Sequence, residues 1–223
     1  MIYNENIVNR LKIVKREIFN AAKASKVKLK DINLVAVSKT VDPNYICEAA
    51  KSGQIAFGEN KVQEAMQKWP NIKELYPKTR LHMIGPLQSN KVKDAVKIFD
   101  VIETLDREKI ALELKKNKKE HQLFPDLYVQ INIGEEKQKN GCKPTDAKCF
   151  INDCKDYGLD IKGVMAIPPL NEEPAPYFAL LTNIAKECNL KNISMGMSKD
   201  FEKAIYLGAT SVRIGSKIFG ERV

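Results

Sequence analysis

Residues 34–40 read LVAVSKT, a short apolar stretch that runs directly into Ser38, Lys39 and Thr40. The apolar part has the valine content and the alternation of a buried β-strand. A buried strand tolerates the ammonium group of Lys39 only where a partner meets that group at the strand's end. The stretch therefore predicts a strand that leads into a polar site.

Short apolar runs of this kind recur along the chain, and amphipathic stretches lie between them. The runs are LVAVS (34–38), IAFGE (55–59), LHMIG (81–85), FDVIET (99–104), LYVQINI (127–133), IKGVMAI (161–167), NISMG (192–196) and SVRIG (211–215). Apolar residues three and four apart predict helices over 43–51, 61–69, 89–96, 107–119, 145–157, 176–187 and 199–207. Because a crossover helix returns the chain in the same direction, this alternation indicates a parallel sheet.

Eight strand–helix units fit one architecture of the α/β class. In 223 residues they predict a single (β/α)8 TIM barrel that occupies residues 1–223 as one domain, with an extra N-terminal helix before the first strand. The alternative is an open doubly wound sheet. That fold ordinarily carries a G-x-G-x-x-G turn after its first strand, and no such turn follows here.

The composition is that of a soluble globular protein, with 43% hydrophobic and 29% charged residues. No run of 18 or more apolar residues predicts a membrane span. The N-terminal stretch lacks the apolar core of a signal peptide, and its Glu5 and Glu17 argue against a transit peptide. We therefore expect a cytoplasmic protein that does not associate with a membrane.

Charge and cysteine content argue against nucleic-acid binding, a disulfide framework and a metal site. The net charge of +9 comes mainly from lysines spread along the chain, which favours a solvated surface over a nucleic-acid interface. The five cysteines are odd in number and no pair has two-residue spacing, so we expect reduced thiols and neither disulfides nor a metal site.

Polar residues cluster at the carboxyl ends of the predicted strands, the face at which barrels of this class place their sites. In chain order these ends carry Lys39, Glu59, Asn60, Gly85, Thr104, Asn132, Pro168, Ser194 and Gly215. The segments SMGMSKD (194–200) and RIGSKIFG (213–220) favour phosphate binding, because glycines, serine hydroxyls and helix starts combine there. Ordinary turns between elements are the competing explanation for each segment taken alone.

Two cationic residues allow more than one interpretation. Arg213 lies on a buried strand and needs an acceptor, which is either a carboxylate such as Glu59 or a ligand above the barrel. Lys39 is either an electrostatic clamp or an amine that forms a Schiff base with a carbonyl compound. The residues alone do not decide between these chemistries.

Seven stretches taken together resemble a known family. They are AVSKT (36–40), FGENKVQE (57–64), HMIGPLQSNK (82–91), QINIGEEKQKNG (130–141), GVMAI (163–167), SMGMSKD (194–200) and VRIGSKIFG (212–220). On these stretches the chain resembles the pyridoxal-phosphate homeostasis protein family, small relatives of the N-terminal barrel of alanine racemase. The resemblance implies a fold-type III barrel.

The resemblance also implies a ligand and its contacts. Pyridoxal 5′-phosphate would be bound as an internal aldimine on Lys39, and Arg213 would lie near its pyridine nitrogen. Asn60 and His82 would be neighbours of the ring, although a hydrogen-bonded core histidine is an equal interpretation of His82. The phosphate would be held by Ser194, Ser198, Gly215 and Ser216.

The resemblance further implies a role in intracellular vitamin B6 homeostasis rather than strong catalysis. Racemase relatives carry a C-terminal domain whose tyrosine is the second acid/base, and residue 223 follows directly after the last predicted unit. We therefore expect a monomeric cofactor carrier, with apo forms of pyridoxal-phosphate enzymes as recipients. The alternatives are an amino-acid racemase or related enzyme of weak activity and a cofactor-free Schiff-base aldolase.

The segment GEEKQKNG (134–141) follows the fifth strand and is predicted to be a mobile loop. It carries Lys137 and Lys139 close to the expected mouth of the barrel. One hypothesis is that these amines help to transfer the cofactor. The competing interpretation is that they are solvated loop lysines.

Overall fold

The structure is a computed structural model that describes residues 6–25, 28–118 and 124–220. Its eight parallel strands form a closed barrel in chain order. The strands are β1 (Asn33–Val37), β2 (Ala56–Glu59), β3 (Arg80–Met83), β4 (Val101–Leu105), β5 (Asp126–Ile131), β6 (Ile161–Ala166), β7 (Asn192–Ser194) and β8 (Ser211–Ile214). Closure confirms the predicted (β/α)8 barrel and excludes the open doubly wound sheet.

Helices alternate with the strands, and one helix precedes them as predicted. They are α1 (Ile7–Ala24), α2 (Pro43–Lys51), α3 (Val62–Leu75), α4 (Val92–Ile98), α5 (Glu108–Lys118), α6 (Ala147–Asp156), α7 (Ala175–Glu187), α8 (Phe201–Tyr206) and α9 (Ser216–Phe219). Short 3-10 turns occur at Leu29–Asp31, Ser89–Lys91 and Pro144–Asp146. None of the helices within the described ranges has the length and hydropathy that a membrane span requires.

The largest differences between the predicted and observed limits of the helices occur in two of them. The helix predicted over 61–69 continues through Pro70 to Leu75, because the buried Ile72 extends its apolar face. The helix predicted over 89–96 begins as the 3-10 turn Ser89–Lys91 and becomes α-helical at Val92. Neither difference changes the order of strands in the barrel.

Pairing of the first and last strands brings the two ends of the barrel sequence together. Val35 of β1 lies opposite Arg213 of β8, and Ala36 lies opposite Ile214. The loop that carries Lys39 is therefore adjacent to the loop that begins at Gly215. Helix α1 covers this junction from outside, where it packs against α2, α8 and α9 with Leu11 among its buried residues.

Candidate functional site

A cavity of about 610 Å³ opens between the carboxyl ends of β1 and β8. It brings together five of the eight residues predicted for the site, namely Lys39, Ser198, Arg213, Gly215 and Ser216. The other lining residues are Val37, Thr40, Val41, Asp42, Tyr45, Met197, Phe219 and Gly220. The cavity therefore combines an amine, a guanidinium group and two serine hydroxyls, with the hydroxyls of Thr40 and Tyr45, at one mouth of the barrel.

The loops after β7 and β8 meet at this cavity. The Ser216 hydroxyl donates to Ser198 Oγ at 3.2 Å, so the two predicted phosphate loops touch through their side chains. Asp200 Oδ1 accepts the Met197 amide at 2.6 Å and fixes the shape of the first loop. Hydroxyls beside the start of α9 are groups suited to bind an anion.

Arg213 is buried, with 4% of its surface exposed, yet it contributes to the wall of the cavity. Its Nη2 donates to the carbonyl oxygen of Ala166 at 2.9 Å, and its Nη1 donates to Ser194 Oγ at 2.5 Å. Glu103 Oε2 lies 3.7 Å from Nη1. Burial lowers the pKa of Arg213, and the charge of Glu103 opposes that effect.

Glu103 is the fully buried carboxylate at the centre of this network. Its Oε2 accepts the Ser194 hydroxyl at 2.6 Å, and its Oε1 lies 2.7 Å from His82 Nδ1. Burial alone would raise the pKa of Glu103. Contacts with His82, Arg213 and Ser194 outweigh burial and lower the pKa, so Glu103 is ionised. An ionised carboxylate only accepts hydrogen bonds, and Nδ1 of His82 therefore carries a proton.

Of the acceptors considered for Arg213, a carboxylate lies beside it in the structure, but that carboxylate is Glu103 and not the suggested Glu59. Glu59 forms its ion pair with Lys68 at 2.9 Å and accepts the Trp69 indole N–H at 3.2 Å. Alternation along β2 explains the difference, because Phe57 and Glu59 share a face. That face is turned toward α3, where the ring of Phe57 lies 5.2 Å from the ring of Trp69.

Three predicted residues do not line the cavity. Ser194 is buried, and its hydroxyl is engaged by Glu103 and Arg213. His82 is 3% exposed and bonded to Glu103, the arrangement of a core histidine. Asn60 directly follows β2, and its Oδ1 is buried without a hydrogen-bond partner.

Glu103 and Lys68 are the residues that the sequence interpretation missed. The available signal for Glu103 was its position directly after Val101 and Ile102 in FDVIET, since an acid on a buried strand needs a partner. Lys68 follows Glu64 by four residues on α3, a spacing that also occurs on solvated helices. Its burial against β2 could be seen only in the folded chain.

The segment 134–141 is held by hydrogen bonds. The Asn132 side-chain amide donates to the carbonyl oxygens of Glu136 and Lys139 at 2.8 and 3.3 Å. Lys139 donates to the carbonyl oxygen of Pro168 at 3.1 Å and pairs with Glu136. These contacts give the loop a defined shape beside a smaller cavity of about 200 Å³. The mobility of the loop stays a prediction.

Comparison with curated proteins identifies the family. A protein of Aquifex aeolicus named pyridoxal phosphate homeostasis protein is 39% identical over 85% of this chain and 86% of its own length. A protein of the same name from Haemophilus influenzae is 34% identical over 97% of this chain and 96% of its own length. The chain belongs to the pyridoxal phosphate homeostasis protein family. A scan against protein-family models gave no match.

Solved structures agree with membership of the pyridoxal phosphate homeostasis protein family. PipY of Synechococcus elongatus has been solved without and with pyridoxal phosphate, at 33% and 32% identity and TM-scores of 0.83 and 0.79. Each comparison covers 96% of this chain and all of PipY. Alanine racemase of Clostridium difficile is 15% identical with a TM-score of 0.73, over 98% of this chain and 57% of the racemase, which confirms the racemase-type barrel.

Proposed function

We propose that this chain binds pyridoxal 5′-phosphate as a Schiff base on Lys39 and acts in intracellular vitamin B6 homeostasis. The observation that carries the proposal is the common cavity of Lys39, Arg213 and the loops after β7 and β8. The relatives' name and the pyridoxal phosphate bound in the PipY structure support the choice of ligand.

The groups of the cavity match the functional groups of this cofactor. An aldehyde accepts the Lys39 amine, a C=N bond forms, and the aldehyde oxygen leaves as water with both hydrogens of the neutral amine. Ser198, Gly215 and Ser216 would hold the phosphate through hydroxyls and backbone amides. The volume of about 610 Å³ accommodates a ligand of this size.

Arg213 would leave the ring nitrogen of a bound cofactor unprotonated. Bound pyridoxal phosphate stabilises carbanions best when its ring nitrogen is protonated. A guanidinium group keeps its own protons and cannot protonate that nitrogen. Ser194 contributes in this proposal by holding Arg213, since its hydroxyl is already engaged by Glu103 and Arg213. Contacts of Asn60 and His82 with the ring remain predictions.

We make two further proposals about this role in homeostasis. The chain acts as a monomer in solution, and it passes the cofactor to apo forms of pyridoxal-phosphate enzymes. Sedimentation should give a single species of 25.2 kDa. Incubation of the loaded protein with an apo-enzyme should restore that enzyme's activity, whereas dimers in the sedimentation experiment or no transfer would contradict these two proposals.

The Schiff base is tested by visible absorption and borohydride reduction. The protein mixed with pyridoxal phosphate should show an imine band, and reduction should fix the cofactor mass on the peptide that contains Lys39. A Lys39→Ala variant should lose this band, and Lys137→Ala serves as a lysine control from the nearby loop. An unchanged band in Lys39→Ala with no label at position 39 in the native protein would refute the proposal.

Catalysis is tested separately with amino acids of one enantiomer. A carrier leaves their optical purity unchanged during long incubation with the loaded protein. Sustained loss of optical purity would favour the racemase alternative. A protein that remains colourless with pyridoxal phosphate yet is trapped at Lys39 by borohydride and a simple ketone would favour an aldolase.

A further inference from the structure

Lys39 lies in a strained turn. The amide of Val41 donates to the carbonyl oxygen of Ser38 at 3.0 Å, which makes Lys39 and Thr40 the two central residues of a four-residue turn. Thr40 has φ of 62°. Glycine or asparagine ordinarily occupies a turn position with positive φ, and a β-branched residue there is strained. The Thr40 hydroxyl donates to the carbonyl oxygen of Lys39 at 2.6 Å within the turn, and contacts from outside the turn add to that bond in maintaining this conformation.

Glu64 and Lys68 of α3 hold the turn from outside. Glu64 Oε1 accepts the amide of Thr40, the strained residue, at 2.6 Å. Lys68 Nζ donates to the carbonyl oxygens of Ser38 at 3.0 Å and Val41 at 3.3 Å, which are the first and last residues of the turn. Glu64 and Lys68 also bond to each other at 2.8 Å. One ion pair thus contacts the residues on both sides of Lys39.

Lys68 is itself fixed rather than solvated. Its side chain is 8% exposed and forms a second ion pair with the fully buried Glu59 at 2.9 Å. Glu59 in turn accepts the Ser38 hydroxyl at 2.7 Å and the indole N–H of Trp69. The turn is therefore tied both to α3 and to the end of β2, and its backbone direction is set by these elements.

We propose that Glu64 and Lys68 are positioning residues for Lys39, which hold the strained 38–41 turn so that the Lys39 amine reaches the cavity. This proposal rests on the proposed function, because one of its experiments measures imine formation between pyridoxal phosphate and Lys39. A purely stabilising ion pair would affect the unfolding of the whole protein without a specific effect on Lys39. The strain at Thr40 provides the means to separate these two roles.

The test compares Glu64→Ala with the double variant Glu64→Ala/Thr40→Gly. Loss of the carboxylate leaves the amide of Thr40 without its acceptor, so the turn should relax and imine formation with pyridoxal phosphate should slow about tenfold. Glycine adopts positive φ without strain, so Thr40→Gly should restore most of the rate in the double variant. Glu64→Gln retains an acceptor oxygen and should resemble the native protein.

A second readout needs no cofactor. Hydrogen exchange of the Thr40 and Val41 amides, followed by NMR in the cofactor-free protein, should be slow in the native chain and fast in Glu64→Ala. The double variant should recover protection of the Val41 amide. A control is Lys73→Met, which removes another α3 lysine whose ion pair with Asp100 at 2.7 Å and bond to the Ile98 carbonyl lie away from Lys39. This variant should unfold more easily without changing either readout.

The possible outcomes separate the two proposals. Native imine formation and native amide protection in Glu64→Ala would overturn the positioning role while leaving the proposed function intact. Slow imine formation that Thr40→Gly does not rescue would also overturn it, because relief of turn strain is the predicted mechanism. Absence of any imine on Lys39 in the native protein would refute the proposed function, and the exchange data would still decide whether Glu64 holds the turn.

Discussion

Arg213 and Glu103 are oppositely charged residues enclosed together inside the barrel. Transfer of either charge from water to this interior is unfavourable, and their mutual attraction compensates only if the remaining polar atoms are also bonded. Ser194, His82 and the carbonyl oxygen of Ala166 provide those bonds. Loss of one member leaves its partner charged and unpaired in a buried site.

Glu103→Gln should therefore lower the free energy of unfolding by about 3 kcal/mol near neutral pH. The pKa of Glu103 is lowered in the folded chain from its ordinary value of 4.5. Its contribution to stability is accordingly complete above that value and is lost as the pH falls through the lower folded pKa. Urea unfolding between about pH 3 and pH 7 should show the difference between the native protein and the variant shrinking in acid.

Glu59 should have the opposite effect on the pH dependence of stability, and Glu59→Gln tests this expectation. Burial raises the pKa of Glu59 above 4.5, although the charge of Lys68 and the bonds from Ser38, Lys68 and Trp69 oppose the shift. The folded chain then binds a proton more tightly than the unfolded chain, and stability falls as the pH rises from 4.5 to the folded pKa. Glu59→Gln should not lose stability over this pH range, because the glutamine side chain does not titrate. Identical pH profiles for Glu59→Gln and Glu103→Gln would contradict both assignments.

At the level of elements, the loop between β7 and α8 depends on close packing at Gly196. This residue has φ of 90°, and a Cβ atom built on it would lie 2.5 Å from the Cβ of Ala204 in α8. The loop therefore reaches the cavity with its backbone directly against a helix. Ser198 lies in this loop, so displacement of residue 196 would change the position of a predicted phosphate ligand.

Gly196→Ala should destabilise the protein and weaken its affinity for pyridoxal phosphate. Gly53→Ala is a matched control, because φ is 89° at Gly53 and a Cβ atom there would meet nothing within 4 Å. The control should cost about 1 kcal/mol from backbone strain alone. Steric overlap should add roughly 1–3 kcal/mol in Gly196→Ala. Equal unfolding free energies for the two variants, or unchanged affinity in Gly196→Ala, would contradict this account.

At the level of the whole molecule, the cavity lies where the barrel closes. Strands β1 and β8 pair there, and a ligand that contacts both loops links the first and last units of the barrel. Because such a ligand binds the folded chain and has no assembled site in the unfolded chain, binding should stabilise the whole protein by mass action.

Pyridoxal phosphate at about one hundred times its dissociation constant should add about 2.7 kcal/mol to the unfolding free energy. For a chain of 223 residues this corresponds to an increase in Tm of roughly 5 to 10 °C, measurable by calorimetry. Lys39→Ala should show a smaller increase, as should the native protein with the corresponding alcohol phosphate, which cannot form a Schiff base. An equal increase in all three cases would show that Lys39 does not contribute to binding.

Much of the fold and part of the site could be predicted because they follow from local patterns. The hydrophobic periodicity of the sequence predicted the positions of all eight strands along the chain. A parallel barrel then necessarily gathers the carboxyl ends of its strands on one face. Lys39, Ser198, Gly215 and Ser216 could thus be assigned to one site before any contact was known. Their grouping depends only on where each strand ends.

Contacts through the barrel interior were decided by tertiary structure alone. The Ser194–Glu103 bond joins residues 91 positions apart, and no local pattern relates two such positions. Strand alternation sets the face on which a side chain lies, but the partner on that face depends on which strands stand opposite in the closed ring. For that physical reason local patterns did not identify Glu103 as the partner of Arg213, and Lys68 reaches the turn around Lys39 only after α3 packs against β2.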